Sequence, residues 1–342
     1  MLIVEFQLPI QLTTLPDAIK YPDKLLLTGS CFTEHIGDKL GDLKFDLVQN
    51  PHGILFDPWS VAQSLISYIQ SKEYKEEDLF YYNELWQSWS HHSRFSGMDK
   101  GEVLRNINES QKKAHQFLKE ARWLIITLGS SFSYRLTDMA SEAGMGHSGF
   151  PVANCHRAPA NWFKKHLMTI EETNSVLDNC LHQLFQFNPK LEIIFTISPV
   201  RHVRDGVIEN NRSKARLIEV VHHLVNKFDK LFYFPAYELV IDVLRDYRFY
   251  DVDMVHPNFP ATRFVMEKFM EHYVTPEANQ LAEEIQQLVT ARKHKPFQSA
   301  TEAHKKFLAT HAEKTRALLQ KYPFLNLQEE LAYFSAKTGA NA

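Results

Sequence analysis

Ser30, Asp253 and His256 are the residues best placed to do chemistry together. Ser30 follows Lys24-Leu25-Leu26-Leu27-Thr28-Gly29, an apolar run that fits a buried strand. It precedes Phe32–Leu40, which has helical spacing, and Gly29 permits a sharp turn between the two. A strand-to-helix corner lifts a hydroxyl above the carboxyl edge of a sheet. It also sets unsatisfied helix N–H groups beside any oxyanion that forms. Nucleophilic acyl chemistry further needs a base, a carboxylate to orient it, and oxyanion donors. Asp251-Val252-Asp253-Met254-Val255-His256-Pro257 offers the first two. A carboxylate three residues before a histidine can share its turn, accept its ring N–H and fix its tautomer. The chain order Ser, Asp, His is that of serine hydrolases built on parallel sheets. Taken alone, Ser30 also reads as a structural turn or helix N-cap, and Asp253 as a turn cap beside a histidine that precedes a helix.

Cys31 is either a second nucleophile or a small buried core residue, its side chain leaving the corner in another direction from Ser30. Cys31, Cys155 and Cys180 are too few and too scattered for a disulfide framework or a Cys-x-x-Cys zinc site. Among the 17 histidines, His52, His91, His92, His156 and His202 invite a metal reading. None shows His-x-x-x-His spacing with a carboxylate, so neither metal nor cofactor is expected. His222 and His223 fall mid-helix, as surface or packing residues. Arg201, His202 and Arg204 follow a strand and point toward the mouth of a site. There they hold an anionic or hydroxyl-rich substrate, or pair with Asp205 and Asp251; binding is the preferred reading for Arg201 and His202. Trp86 and Trp89 offer either stacking on a sugar face or plain aromatic packing.

Positioning these residues takes a large α/β domain, and 342 residues allow one with an accessory piece. Buried strands are expected at 25–30, 45–50, 123–128, 191–197 and 231–234. Helices intervene, one opened by Asp57-Pro58 and another by the capping box Thr169…Glu172. Residues 73–100 read as an insertion holding a short hairpin, and 130–160 as a long irregular loop. Helices are expected at 212–229 and 259–273. Five alternations of strand and helix predict a doubly wound, mainly parallel sheet, with the site at the carboxyl ends of its strands. The polar residues of interest fall there. From 276 to 342 the pattern is helical, with a second capping box, Ser299…Glu302, and a last helix at 327–337. This extension packs on the 1–275 domain or serves self-association as a homo-oligomer.

A net charge of −3, with 44% hydrophobic and 23% charged residues, gives no electrostatic case for nucleic acid or membrane as partner. The opening residues are apolar but lack a basic start, and no stretch has transmembrane length, so a soluble, cytoplasmic protein is expected.

Gly29-Ser30-Cys31-Phe32 with Asp253-x-x-His256 resembles the GSCFA family, a branch of the SGNH hydrolase superfamily. Asn50-Pro51-His52-Gly53-Ile54-Leu55-Phe56-Asp57-Pro58 resembles that superfamily's second block, and Thr127-Leu128-Gly129 its third. Asn154-Cys155-His156-Arg157, Ser198-Pro199-Val200-Arg201-His202 and Leu244-Arg245-Asp246-Tyr247-Arg248-Phe249-Tyr250 resemble segments of bacterial members. The resemblance spans residues 20–275. It implies a three-layer α/β/α flavodoxin-like sandwich with Ser30 as nucleophile, His256 as base and Asp253 orienting it. The implied oxyanion donors are the N–H of Ser30, the N–H of Gly53 and a block-three asparagine. That asparagine is missing: Ser130-Ser131 follows Gly129, leaving Ser131, or Asn154 from the long loop, as substitutes. The alanine that ends the family name is Thr33 here. His52, His156, Arg201 and His202 are assigned to substrate binding. The activity implied is ester hydrolysis of a small acyl ester, such as O-acetyl on a sugar or glycan. Acyl transfer by the same triad and non-catalytic binding of a ligand or partner are the alternatives.

Overall fold

Lys24–Gly29 forms β1, and the computed structural model, which describes residues 8–336, builds the rest of the molecule around it. β1 is followed by α1 (Cys31–Asp42), β2 (Asp46–Gln49), α2 (Pro58–Ile69), the hairpin β3 (Phe80–Tyr82) and β4 (Leu85–Gln87), α3 (Lys100–Glu120) and β5 (Trp123–Leu128). Next come β6 (Phe132–Leu136), α4 (Asp138–Glu142), β7 (Pro151–Val152), β8 (Phe163–Leu167), α5 (Ile170–Phe187), β9 (Glu192–Ile197) and α6 (Val207–Lys227). The described chain ends with β10 (Leu231–Phe234), α7 (Ala236–Glu238), α8 (Phe259–Tyr273), α9 (Pro276–Lys293), α10 (Glu302–Lys321) and α11 (Gln328–Ala336).

Five strands pair in parallel in the order β10-β9-β5-β1-β2. This is the flavodoxin-like order, and it reverses between β1 and β5, where sheets of this kind open a crevice at their carboxyl ends. Helices cover both faces, which is why the strands are apolar throughout rather than alternating. Leu25 and Leu27 enter one core with Phe32, Ile36 and Leu40 of α1 and Phe269 of α8. Leu26 and Ile126 enter the other, with α2, α5 and α6. Local chemistry starts the helices as expected at two points. Asp57 accepts the Ser60 N–H at 3.0 Å with Pro58 in the first turn of α2, and Thr169 and Glu172 close a capping box on α5.

Three expectations need correction. Residues 130–160 are not an irregular loop: β6 pairs antiparallel with both β7 and β8, and the sheet extends to residue 167. This sheet and the 73–100 insertion share a small core of Phe80, Trp89, Leu136, Ala140 and Val152. Trp89 is stacked on Phe80 at 3.7 Å and buried, and Trp86 lies beneath the Lys100 ammonium, so both indoles are used in packing. Second, α6 begins at Val207, because Gly206 at φ +88° turns the chain into the helix earlier than the apolar spacing suggested. Third, no Ser299 capping box forms; Thr301 caps α10, accepting the His304 N–H at 3.2 Å. Residues 1–7, with the apolar opening, and the final residue of the expected 327–337 helix lie outside the described residues. No helix among the described residues is long and apolar enough to cross a membrane.

The helices after Thr275 are not set apart from the sheet. Leu281, Ile285, Leu308, Leu327 and Phe334 belong to the same core as α1 and β1. Glu330 of α11 is fully buried between Lys44, just after α1, at 3.1 Å and Arg292 of α9 at 3.0 Å. Without Glu330, Lys44 would lose its acid while Arg292, partly exposed, would keep Glu329 at 3.2 Å, so the loss is smaller than for a fully buried pair. Glu330→Gln is therefore expected to lower the unfolding free energy by about 1–2 kcal/mol in urea titration. A loss under about 0.5 kcal/mol would mean that the pair does not anchor the helix.

Candidate active site

Gly29 sets the corner. Its φ is +137°, and a Cβ there would lie 2.1 Å from the Thr127 carbonyl oxygen of β5. Only glycine lets the two strands meet so closely. The Gly29 N–H donates to Asn50 Oδ1 at 2.9 Å, tying in the end of β2. Ser30 then takes the N-cap position of α1, but its side chain caps nothing. Its Oγ is buried without a hydrogen-bond partner among the described residues, and the residue is 1% exposed. A buried hydroxyl left unpaired costs about 1–3 kcal/mol and asks for an explanation.

Asp253 and His256 share a turn that passes through Met254 at φ +58°. Asp253 Oδ1 accepts the backbone N–H groups of Val255 at 2.9 Å and His256 at 3.0 Å, and its Oδ2 meets His256 Nδ1 at 2.6 Å. The histidine side chain, then those backbone donors, hold the carboxyl down to about 2. Asp253 is thus an acceptor only, Nδ1 must carry the proton, and Nε2 is left to accept one. Both side chains stand half exposed. Arg201 fixes the loop: its N–H donates to Val255 O at 3.2 Å and its guanidinium to Met254 O at 3.1 Å, with that group stacked over Tyr250 at 3.9 Å. One guanidinium N–H of Arg201 is accordingly used in holding the turn.

The first turns of α6 supply a floor that sequence reasoning missed. Lys214 is buried and donates to Gly129 O and Ser198 O, both at 2.6 Å, at the ends of β5 and β9. Burial pushes its ammonium down to about 7. One turn back, Asn210 Oδ1 accepts the His202 N–H at 2.8 Å. Ser213 Oγ accepts the Ser131 N–H at 2.8 Å, and Ser131 Oγ donates to Ser213 O at 3.0 Å. The available signal was three polar residues, Asn210, Ser213 and Lys214, at helical spacing on the face that Leu217, Val221 and Leu224 bury.

Three of the four expected oxyanion donors are already engaged. Ser30 N–H donates to Thr127 O at 3.0 Å and Gly53 N–H to Asn50 O at 2.7 Å, while Ser131 is tied to Ser213 as above. Gly53 is glycine for room: a Cβ would lie 2.2 Å from His92 Cβ. Asn154 Oδ1 accepts the His156 N–H at 2.8 Å, closing its own turn.

Two of the four expected substrate ligands, His52 and His156, are buried. His52 is buried, its ring nitrogens bonded to Tyr68 Oη at 2.8 Å and Tyr74 Oη at 3.0 Å and its face stacked on His91 at 4.1 Å. His156 is buried against Phe80 and Trp89, with Nε2 bonded to Ser88 O at 2.8 Å. No group of three or more His, Cys, Asp or Glu residues among the described residues could hold a metal. Burial raises the Cys31 thiol, which keeps it protonated and a poor nucleophile.

His202 remains at the mouth. A Cβ placed on Gly129 would lie 3.4 Å from His202 Nε2 and 3.3 Å from Ser30 Cβ, so the two flank one point. Two cavities of about 430 and 440 Å³ lie elsewhere, one beside residues 10–15 and β10, the other between α9 and α10.

The buried histidines make stability depend on acid. Burial lowers His52 to about 3 and His156 to about 4, and pushes His91 well down. The unfolded chain takes up these protons near pH 6.5 and the folded one does not. Stability is therefore complete above that pH and falls as pH drops toward the folded values. Each imidazole contributes a slope of about 1.4 kcal/mol per pH unit in that window. Urea midpoints measured from pH 7 to 4.5 are expected to fall steadily, and less steeply in His91→Phe. A flat profile would contradict the burial of these rings as neutral groups.

Among proteins of known sequence families, the model of the GSCFA family matches residues 24–269, and that of the GSCFA domain protein, C-terminal domain, matches residues 285–338. No curated protein matches the chain. Among solved structures, a Clostridium thermocellum family 3 carbohydrate esterase aligns over 73% of this chain and 94% of its own, at 8% identity and a TM-score of 0.33.

Proposed function

The chain belongs to the GSCFA family, and from that premise we propose that it is a serine ester hydrolase of the SGNH type. The observation that carries this reading is the Asp253–His256 pair at 2.6 Å, its carboxylate saturated by two backbone donors, at the same sheet edge as the unpartnered Ser30 hydroxyl. In the proposed reaction Ser30 Oγ adds to the ester carbonyl carbon while His256 Nε2 takes the hydroxyl proton. The carbonyl π pair becomes the oxyanion. Its collapse breaks the ester C–O bond, and His256 returns the proton to the departing alcohol. Water, deprotonated by His256, then releases the acyl group and restores Ser30.

A nucleophile 1% exposed, with Phe56 and His202 around the neighbouring Gly129, favours a small acyl group over a long chain. An O-acetylated sugar or glycan is the substrate class proposed, by family analogy. The half-exposed His256 leaves water free access, which favours hydrolysis over acyl transfer.

A small fluorophosphonate, read by peptide mass spectrometry, tests the nucleophile without knowledge of the substrate. Label is expected on Ser30, absent in Ser30→Ala and reduced at least 100-fold in rate in His256→Ala. Asp253→Asn is expected to slow ester turnover by about 10⁴-fold through loss of the correct tautomer. An unlabelled wild type with its fold intact would rule out an activated serine, and label on Cys31 would transfer the role to the thiol.

A further inference from the structure

We propose that His202 is the oxyanion donor of this site, its Nε2–H taking the negative charge that forms when Ser30 attacks. The inference rests on Ser30 being the nucleophile.

An alkoxide forming beside Ser30 needs donors aimed at it. At this corner the backbone donors around Gly129 are engaged, and the N–H groups of Cys31 and Phe32 face the Cys31 thiol. Besides Ser30, Gly53 and Ser131, the N–H groups of Gly129 and Ser130 both donate to Phe56 O, at 2.8 and 3.1 Å. Redirecting any of them would break a bond that holds the sheet edge together. His202 differs: neither ring nitrogen is hydrogen-bonded to another described residue, and Nε2 faces the Ser30 side of Gly129.

Gly129 provides the second observation. Its φ is not in the left-handed region, so conformation does not require glycine there. Space does. The missing Cβ marks a point 3.3 Å from Ser30 Cβ, 3.3 Å from Phe56 Cδ1 and 3.4 Å from His202 Nε2. The bare Cα leaves room in front of it, between the Ser30 side chain and the imidazole, that a methyl would fill.

The imidazole is suited to donating. Burial, reinforced by the charges of Lys214, Lys165 and His256 and opposed by Asp205, brings it down to about 4. It is neutral through the physiological range, a poor base beside His256 but a donor whose bond strengthens as charge grows on oxygen, with no proton transferred. The ring is also held in place. Its backbone N–H is bonded to Asn210, and its plane is set edge-to-face against Phe56 at 5.6 Å between ring centroids.

The test uses the full chain, p-nitrophenyl acetate turnover from pH 5 to 9, and fluorophosphonate labelling, with folding checked by thermal melting. His202→Ala is expected to lower kcat about 10²–10³-fold with KM within about threefold. The pH limb set by His256 should stay in place. His202→Gln, whose amide nitrogen falls near the position of Nε2, is expected to recover about tenfold. Gly129→Ala is expected to lose turnover comparably while melting like the wild type.

Three outcomes would overturn the donor assignment while leaving the nucleophile intact: wild-type kcat in His202→Ala; a rise in KM alone, which would make His202 a substrate ligand; or loss of the pH limb, which would make it the base. A wild type that neither turns over nor labels would remove the Ser30 reading and this inference with it.

Discussion

At Gly29 the backbones of β1 and β5 come so close that the Thr127 carbonyl occupies the place of a side chain. That contact fixes the register of the two central strands at the point where the sheet order reverses. It directs the chain into α1 one residue later and leaves Ser30 at the lip of the crevice with its hydroxyl free. The same contact takes up the Ser30 N–H, because the oxygen lying over Gly29 is also the acceptor of that N–H. The geometry that leaves the Ser30 hydroxyl free therefore engages its own amide.

The second organising element is a helix start rather than a strand. Asn210, Ser213 and Lys214 on α6 each hold a different loop end, and together they place Ser131, Gly129, Ser198 and His202 around the crevice. A buried ammonium bonded to two carbonyls is costly to desolvate and is kept neutral or paired in most interiors. Here it offsets that cost by gathering the carbonyls at two strand ends, which otherwise would face one another without donors.

Much of the frame was legible in the sequence because it rests on local rules. The apolar runs at Leu25–Leu27 and 123–128, the Asp57-Pro58 start and the Thr169…Glu172 box each encode their element within a few residues. The small antiparallel sheet was not, since β8 reads Phe-Lys-Lys-His-Leu, with no clean alternation, and its partner β6 lies some thirty residues away. The Asp253–His256 hydrogen bond is one that the three-residue spacing allows. The fates of the Ser30 and Gly53 N–H groups were not legible, because backbone donors carry no sequence signature and their acceptors are set by tertiary packing. His52 misled for a related reason: its position after β2 suggested a mouth residue, but Tyr68 and Tyr74, from α2 and the segment after it, draw it into the core.

The seating of α11 bears on how the molecule is made. Lys44 and Glu330 are near neighbours in space and far apart along the chain. The layer behind α1, the helix that starts after Ser30, is completed by residues beyond Thr275. During synthesis β1, α1 and β2 leave the ribosome long before that layer can close, exposing the apolar face of Phe32, Ile36 and Leu40. Contacts of such long sequence separation raise the entropy of closure and slow the last step of folding. While those contacts are unmade, the apolar face of α1 is a surface open to association with other chains.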